Sequence, residues 1–246
     1  MTVRTATNNP LRPTEYAPGL WLQRCHAPLA LADFGLIAFD MDSTLITIEC
    51  VDEIAAAAGR KEQVAAITEA AMRGEIVDYK QSLRERVALL RGVPETALER
   101  VYRERLQLNP GVHELVTACR AAGLKLLLVS GGFTWFSDRV CAMLGIDYSR
   151  SNVLEIQDGR LTGRMVDQSW GDICDGEEKK RMLLATCAQL NLQPSQVIAV
   201  GDGANDLPMM SVAGLSVAYH AKARVREQAM VAINEGGLDR LLEVFA

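Results

Sequence analysis

The sequence contains no Cys-x-x-Cys pair, no long basic block, and no apolar run near the roughly 20 residues that span a membrane. Each absence removes a class of function. The six cysteines (Cys25, Cys50, Cys119, Cys141, Cys174 and Cys187) are scattered, so neither a zinc site nor a disulfide framework is expected. Several lie inside apolar runs and read as reduced, buried thiols. With a net charge of −5 and no basic cluster, nothing argues electrostatically for a nucleic-acid partner. No charged leader precedes an apolar segment, which together with the missing span predicts a soluble cytoplasmic protein without a membrane partner. His26, His113 and His220 match no motif and are assigned structural or surface roles. There is no internal repeat, and these features leave homo-oligomer formation open.

What the chain does have is core-forming material. Of its 246 residues 49% are apolar and 23% charged, enough for one large domain or a domain with an insertion. Residues 1–32 hold four of the eight prolines (Pro10, Pro13, Pro18, Pro28), and are expected to form an irregular leader packing through Leu20, Trp21 and Leu22. The apolar run from Leu36 to Phe39 reads as a buried strand. Residues 49–105 are rich in Ala, Glu, Arg and Leu, with Leu83, Val87 and Leu90 at helical spacing and Gly59, Gly74 and Gly92 as punctuation. They predict an all-helical insert. Further strands are expected at 125–129, 197–200, 214–219 and 231–234, with helices near 111–122, 133–144, 178–190, 205–213 and 222–229. Asp158-Gly159 signals a hairpin within 153–167. The pattern is that of an α/β fold with a doubly wound parallel sheet, its core formed by 33–48 and 106–246 and its helical cap by 49–105.

Polar groups stand at the ends of three of these strands. Asp40 and Asp42 follow the first, Ser130-Gly131-Gly132 the second, and Gly201-Asp202-Gly203-Ala204-Asn205-Asp206 the third. Lys179 and Lys180 lie on the helix before the last of these. Singly, each has a plain reading: an Asp after a strand is often a turn former or N-cap, Ser-Gly-Gly a tight turn, and a lysine pair a solvated face. Their joint occurrence shifts the reading to chemistry, because ligands in open parallel sheets sit beyond the carboxyl ends of the strands. Carboxylates suit a hard cation such as Mg²⁺, Ser130 and the glycine amides suit phosphate oxygens, and a lysine offsets charge on a phosphoryl group. The set fits phosphoryl transfer.

The motif Phe39-Asp40-Met41-Asp42-Ser43-Thr44-Leu45-Ile46, with Ser130-Gly131-Gly132-Phe133, Lys179 and the 201–206 segment, resembles the haloacid dehalogenase (HAD) superfamily from about residue 34 onward. That resemblance implies a Rossmann-like core. Within the superfamily the chain is most similar to the branch acting on O-phospho-L-serine, through Glu49, Ile67-Thr68, Ala71-Met72-Arg73-Gly74 and Ser82-Leu83-Arg84-Glu85-Arg86-Val87. The resemblance implies a Mg²⁺-dependent hydrolase of this small phosphomonoester, with Asp40 as nucleophile and Asp42 as acid and base. It assigns Mg²⁺ to Asp40, the Asp42 carbonyl and Asp202, and the phosphoryl group to Ser130, Gly131 and Lys179. Asn205 would assist near the phosphate, Asp206 would orient metal-bound water or the lysine, Glu49 would meet the substrate ammonium and Arg86 its carboxylate.

The helical wheel alone does not choose Arg86, because Arg91 flanks the same apolar stripe. Two departures from the family pattern stand out. The 72–82 segment is one residue longer, and Tyr79 replaces the usual Phe, so contacts expected of Met72 and Tyr79 differ. Lys179 is preferred to Lys180 by its distance from Asp202. A competing reading is a related phosphatase or a phosphotransferase that passes the phosphoryl group to an acceptor such as homoserine. A non-catalytic binding protein on this scaffold would be expected to have lost Asp40, Asp42, Lys179 or Asp202, and all are present.

Overall fold

The computed structural model describes residues 12–72 and 78–246. The start of the leader, and Arg73-Gly74 with the contacts expected of Met72, lie outside the described residues. Nine strands form one sheet there, in the order β1-β2-β9-β8-β7-β3-β4-β5-β6. The strands β3 (Leu36–Phe39), β4 (Lys125–Phe133), β5 (Tyr148–Gln157), β7 (Val197–Gly201), β8 (Leu215–Tyr219) and β9 (Val231–Ile233) run parallel. Ile37, Phe39, Leu126, Leu128, Ile198 and Val200 enter one buried cluster, and Leu36, Ala38, Leu127, Val129, Val197 and Ala199 the other. Alternation thus feeds both faces of a sheet covered on both sides, which is why the strands read as unbroken apolar runs.

Helices α5 (Val112–Ala121), α6 (Thr134–Leu144), α7 (Gly176–Leu190), α8 (Leu207–Met210) and α9 (Ala223–Gln228) connect these strands. The predicted 205–213 helix is shorter than expected: a 3-10 turn at Ala204–Asp206 precedes a single α-turn. Asp158 (φ 51°) and Gly159 (φ 69°) make the predicted hairpin between β5 and β6 (Arg160–Val166), as a two-residue turn with both central φ positive requires. β5 starts earlier than the predicted run, at Tyr148, because its first half pairs with β4 and only its second half with β6.

The leader corrects the sequence reading. Thr14–Ala17 (β1) and Leu20–Leu22 (β2) form an antiparallel hairpin that extends the sheet beyond β9. Pro13 and Pro18 sit just outside the two strands, where a missing N–H breaks no ladder. Leu20 is wholly buried and Leu22 nearly so, as the packing role given to that segment requires.

Between β3 and β4 lie α1 (Cys50–Ala57), α2 (Lys61–Met72), α3 (Tyr79–Ala88) and α4 (Glu95–Glu104), with no strand among the described residues. Leu83, Val87 and Leu90 are buried with Ile54, Val64 and Leu98. The two connectors to the sheet run side by side: Ile46 bridges Leu108, and the Thr47 and Asn109 amides donate across to Gln107 and Leu45. The β5–β6 hairpin also touches this helical region: the Gly92 amide donates to the Leu161 carbonyl, the Leu161 amide to the Val93 carbonyl and the Glu95 amide to the Gly159 carbonyl. Leu20→Ala should lower unfolding free energy by about 2–5 kcal/mol, the usual range for an emptied leucine site. Urea denaturation would measure it, and an unchanged midpoint would mean the hairpin is not integral to the fold.

Candidate active site

Asp40 leaves β3 while its amide still donates to the Val200 carbonyl at 3.0 Å, so β7 fixes its position. Met41 turns into the core, which leaves Asp40 and Asp42 on the same side. Ser43 adopts φ 58°, and the amides of Thr44, Leu45 and Ile46 all converge on the Met41 carbonyl. Asn109 Nδ2 then donates to the Ser43, Thr44 and Ile46 carbonyls at 3.3, 2.9 and 3.1 Å. This loop is tightly wound, and sequence reasoning did not single out Asn109; its place before Pro110 at a helix entry was the available signal.

Below Asp40 lies Lys179, completely buried, with Nζ 2.6 Å from both Asp40 Oδ1 and Asp206 Oδ1. Lys180 is half-buried instead, which separates the two adjacent lysines. Asp175 caps α7 by accepting the Glu178 amide, and the register that follows turns Lys179 inward. The second oxygen of Asp206 accepts the amides of Asp202 and Gly203 at 3.1 and 2.9 Å, so Asp206 holds both the lysine and the loop. Among the described residues the Asp202 carboxylate accepts one long hydrogen bond, from Thr44 Oγ1 at 3.3 Å. Asn205 sits in the same turn, its backbone against Gly176 at the start of α7.

Carboxylate oxygens of Asp40, Asp202 and Asp206 lie within 4.8 Å of one another. These are hard donors around one point, and the cluster could hold a divalent cation. Burial and the Asp206 charge push the Asp40 carboxyl well above the usual range, against the pull of Lys179. Burial, then Asp206 and Glu49, raise Asp202 to about 7. Burial and Glu49 raise Asp42 to about 7 as well. Burial disfavours charge on Lys179, but Asp206 and Asp40 outweigh it and raise its pKa well above normal. Asp42 Oδ2 accepts the Cys50 amide at 3.0 Å, whereas buried Oδ1 has no partner among the described residues.

Ser130 is fully buried at the bend of β4, where its Oγ accepts the Gly132 amide at 2.8 Å. The Gly131 carbonyl accepts from Asn152 Nδ2 at 2.8 Å. Tyr79 Oη abuts Gly131 where a side chain would stand, so Gly is required there. Its hydroxyl is near enough to Lys179, Arg86 and Asp40 to feel their charges.

Glu49 caps α1 at the cleft: water reaches it, although protein surrounds it closely enough to raise its pKa. Ser43 Oγ donates to it at 2.8 Å. Arg86, half-buried on α3, influences Glu49, Asp52 and Tyr79, whereas exposed Arg91 lies beside Gly163 of β6. Geometry therefore separates the two arginines that the helical wheel left equivalent. The helical region is tied to the sheet edge by Lys80, 2.8 Å from Asp172 and 3.5 Å from Asp175, and by an Arg84–Asp172 pair.

The family model for haloacid dehalogenase-like hydrolases matches residues 37–211. A protein of Polaromonas sp. (strain JS666) named phosphoserine phosphatase is 73% identical over 234 residues, covering 95% of this chain and 99% of that one. A solved phospho-aspartyl intermediate analogue of phosphoserine phosphatase is 35% identical with a TM-score of 0.79, covering 87% of this chain and 99% of the other. A substrate-bound phosphoserine phosphatase complex is 34% identical with a TM-score of 0.78 at the same coverage.

The raised carboxylates fix the sign of a pH effect. Asp42 and Asp202 keep a proton to about 7 when folded, against about 4 for a free Asp. The folded state binds more protons between those values, so in the absence of a cation stability falls as pH rises through that window. Chelator-treated protein should melt higher near pH 5.5 than near pH 7.5, and Asp202→Asn should shrink the difference. Thermal melts at both pH values provide the check, and an unchanged gap in the variant would contradict the assignment.

Proposed function

The chain belongs to the haloacid dehalogenase-like hydrolase family, and from that membership and this cleft we propose that it hydrolyses O-phospho-L-serine to L-serine and phosphate, the closing reaction of serine synthesis. The observation carrying the site assignment is the Asp40–Lys179 contact, 2.6 Å and out of water, beside an Asp42 oxygen that has no hydrogen-bond partner among the described residues. In this reading Asp40 is the nucleophile. Its carboxylate oxygen forms a bond to phosphorus as the bond from phosphorus to the seryl oxygen breaks. Asp42 gives its proton to that departing oxygen, and its raised pKa of about 7 suits the task near neutrality. Asp42 then accepts a proton from the water that attacks phosphorus, the bond to Asp40 breaks, and phosphate leaves.

Lys179, the Ser130 hydroxyl and the Gly131 amide hold the phosphoryl oxygens in this reading, with Asn205 nearby. Asp40, the Asp42 carbonyl and Asp202 would hold Mg²⁺; the sparsely bonded Asp202 and the buried carboxylate cluster fit such an ion. When bound it supplies positive charge that offsets repulsion between a carboxylate and a phosphate dianion. We take residues 49–105 as a cap over the cleft, contributing Glu49 for the substrate ammonium and Arg86 for its carboxylate. The six unpaired cysteines suit a cytoplasmic setting.

A phosphate-release screen over a panel of phosphomonoesters with Mg²⁺ tests the reaction. Preference for phosphoserine is expected, and equal release from unrelated esters would overturn it. Asp40→Asn should abolish turnover while phosphoserine still binds, which calorimetric titration can read. Arg86→Ala should weaken phosphoserine by about 2–4 kcal/mol, the scale for truncating one side of a buried ion pair. Equal losses for substrates without a carboxylate would exclude that role.

A further inference from the structure

Asn152, near the middle of β5, is a polar side chain that is 1% exposed. The parallel ladder between β4 and β5 is interrupted between Val129 and Phe133, and it resumes with Phe133 opposite Asn152. The interruption contains Ser130, Gly131 and Gly132, whose backbone groups lose their strand partners there. Asn152 supplies a partner to one of them, the Gly131 carbonyl. Its Nδ2 donates to the Gly131 carbonyl at 2.8 Å, and its Oδ1 accepts the Cys174 amide at 2.8 Å.

The Gly131 carbonyl shares its peptide plane with the Gly132 amide, which donates to Ser130 Oγ at 2.8 Å. The plane is thus held on one edge by Asn152 and on the other by Ser130. A serine hydroxyl has one proton to give and can accept at its lone pairs. Because Ser130 accepts the Gly132 amide, its proton is not committed there, and no acceptor for it occurs among the described residues. If the peptide turned over, the carbonyl would face Ser130 Oγ, draw that proton and present a negative dipole to an incoming phosphoryl group. The Gly132 bond to Ser130 opposes this on one edge of the plane, and the Asn152 Nδ2 donor opposes it on the other.

We propose that Asn152 is a positioning residue that locks the Gly131–Gly132 peptide and so reserves the Ser130 hydroxyl proton for the phosphoryl group. Through Cys174 the same amide steadies the segment entering α7, the helix that carries Lys179. Two phosphate-handling elements from different parts of the chain are thereby set against one side chain. The proposal rests on the reading of Ser130 as a phosphoryl contact.

A double-mutant cycle separates the two. Ser130→Ala, Asn152→Leu and the pair would be compared by kcat, KM for phosphoserine and inhibition by inorganic phosphate, alongside thermal melts. Each single variant is expected to lose about 10–100-fold in kcat/KM, the usual scale for residues that orient a binding group. The pair should lose much less than the product of the two single losses, because the main effect of Asn152 passes through that hydroxyl. Losses that multiply in the pair, or wild-type kinetics in Asn152→Leu, would overturn the proposal while leaving Ser130 in place. Wild-type kinetics in Ser130→Ala would remove the underlying reading, and the proposal with it. Asn152→Asp serves should the leucine variant fail to fold: it keeps an acceptor for the Cys174 amide, lacks the donor to Gly131, and should show the same coupled loss.

Discussion

Lys179 enters the molecule with its side chain wholly out of water, and Asp40 and Asp206, each 2.6 Å from Nζ, make that burial tolerable. Removing an ion from water costs several kcal/mol even after relaxation, so neither partner is dispensable to the charged lysine. The compensation runs both ways. Asp202 joins the two carboxylates that hold the ammonium, and burial first, then mutual repulsion, keeps Asp40 and Asp202 reluctant to ionise. The cleft is therefore short of positive charge as built, which is the electrostatic state expected of a site that takes up a divalent cation.

The sheet explains how one lysine can serve both carboxylates. β3 lies between β4 and β7, and the chain leaves β3 toward β4 but leaves β7 toward β8. Loops diverge above that junction and open a crevice at the carboxyl ends. Asp40 stands on one side of it and the 202–206 turn on the other, while α7 returns between them with Lys179. Asn109 and Asp206 then bind the two loops through their own backbone groups. A rigid scaffold thus presents groups whose spacing would otherwise be set by flexible turns.

Much of this was legible before any coordinates. Buried parallel strands announce themselves as apolar runs, so Asp40 and Asp202 could be placed at strand ends, and the Asp158-Gly159 turn followed from its φ requirements. Ser130, expected where the second strand stops, instead lies within β4, which continues through an irregularity to Phe133. The leader hairpin was not legible, because β2 is three residues long and is a strand only through its pairing with β1 and β9. The hydrogen bonds of Asn152 depend on an irregular register between β4 and β5, which no local pattern encodes. Likewise Arg86 and Arg91 share a helical face in sequence, and only the packing of α3 against α2 and the hairpin separates them.

The proposed roles divide between the two parts of the fold. Groups assigned to phosphate sit on the α/β core, whereas Glu49 and Arg86, assigned to the rest of the substrate, belong to the helical insert. Those two are not equivalent. Glu49 is fastened by Ser43 to the loop carrying Asp42, and it raises the Asp42 pKa, so an ammonium bound at Glu49 also alters the acid beside it. Arg86 instead travels with α3, whose neighbours Lys80 and Arg84 grip Asp172 on the sheet side. In the proposed reading a phosphoester carrying both an ammonium and a carboxylate would engage both groups, while an ester lacking the carboxylate would engage only Glu49. Selectivity would then rest on the helical insert rather than on the groups that meet the phosphate.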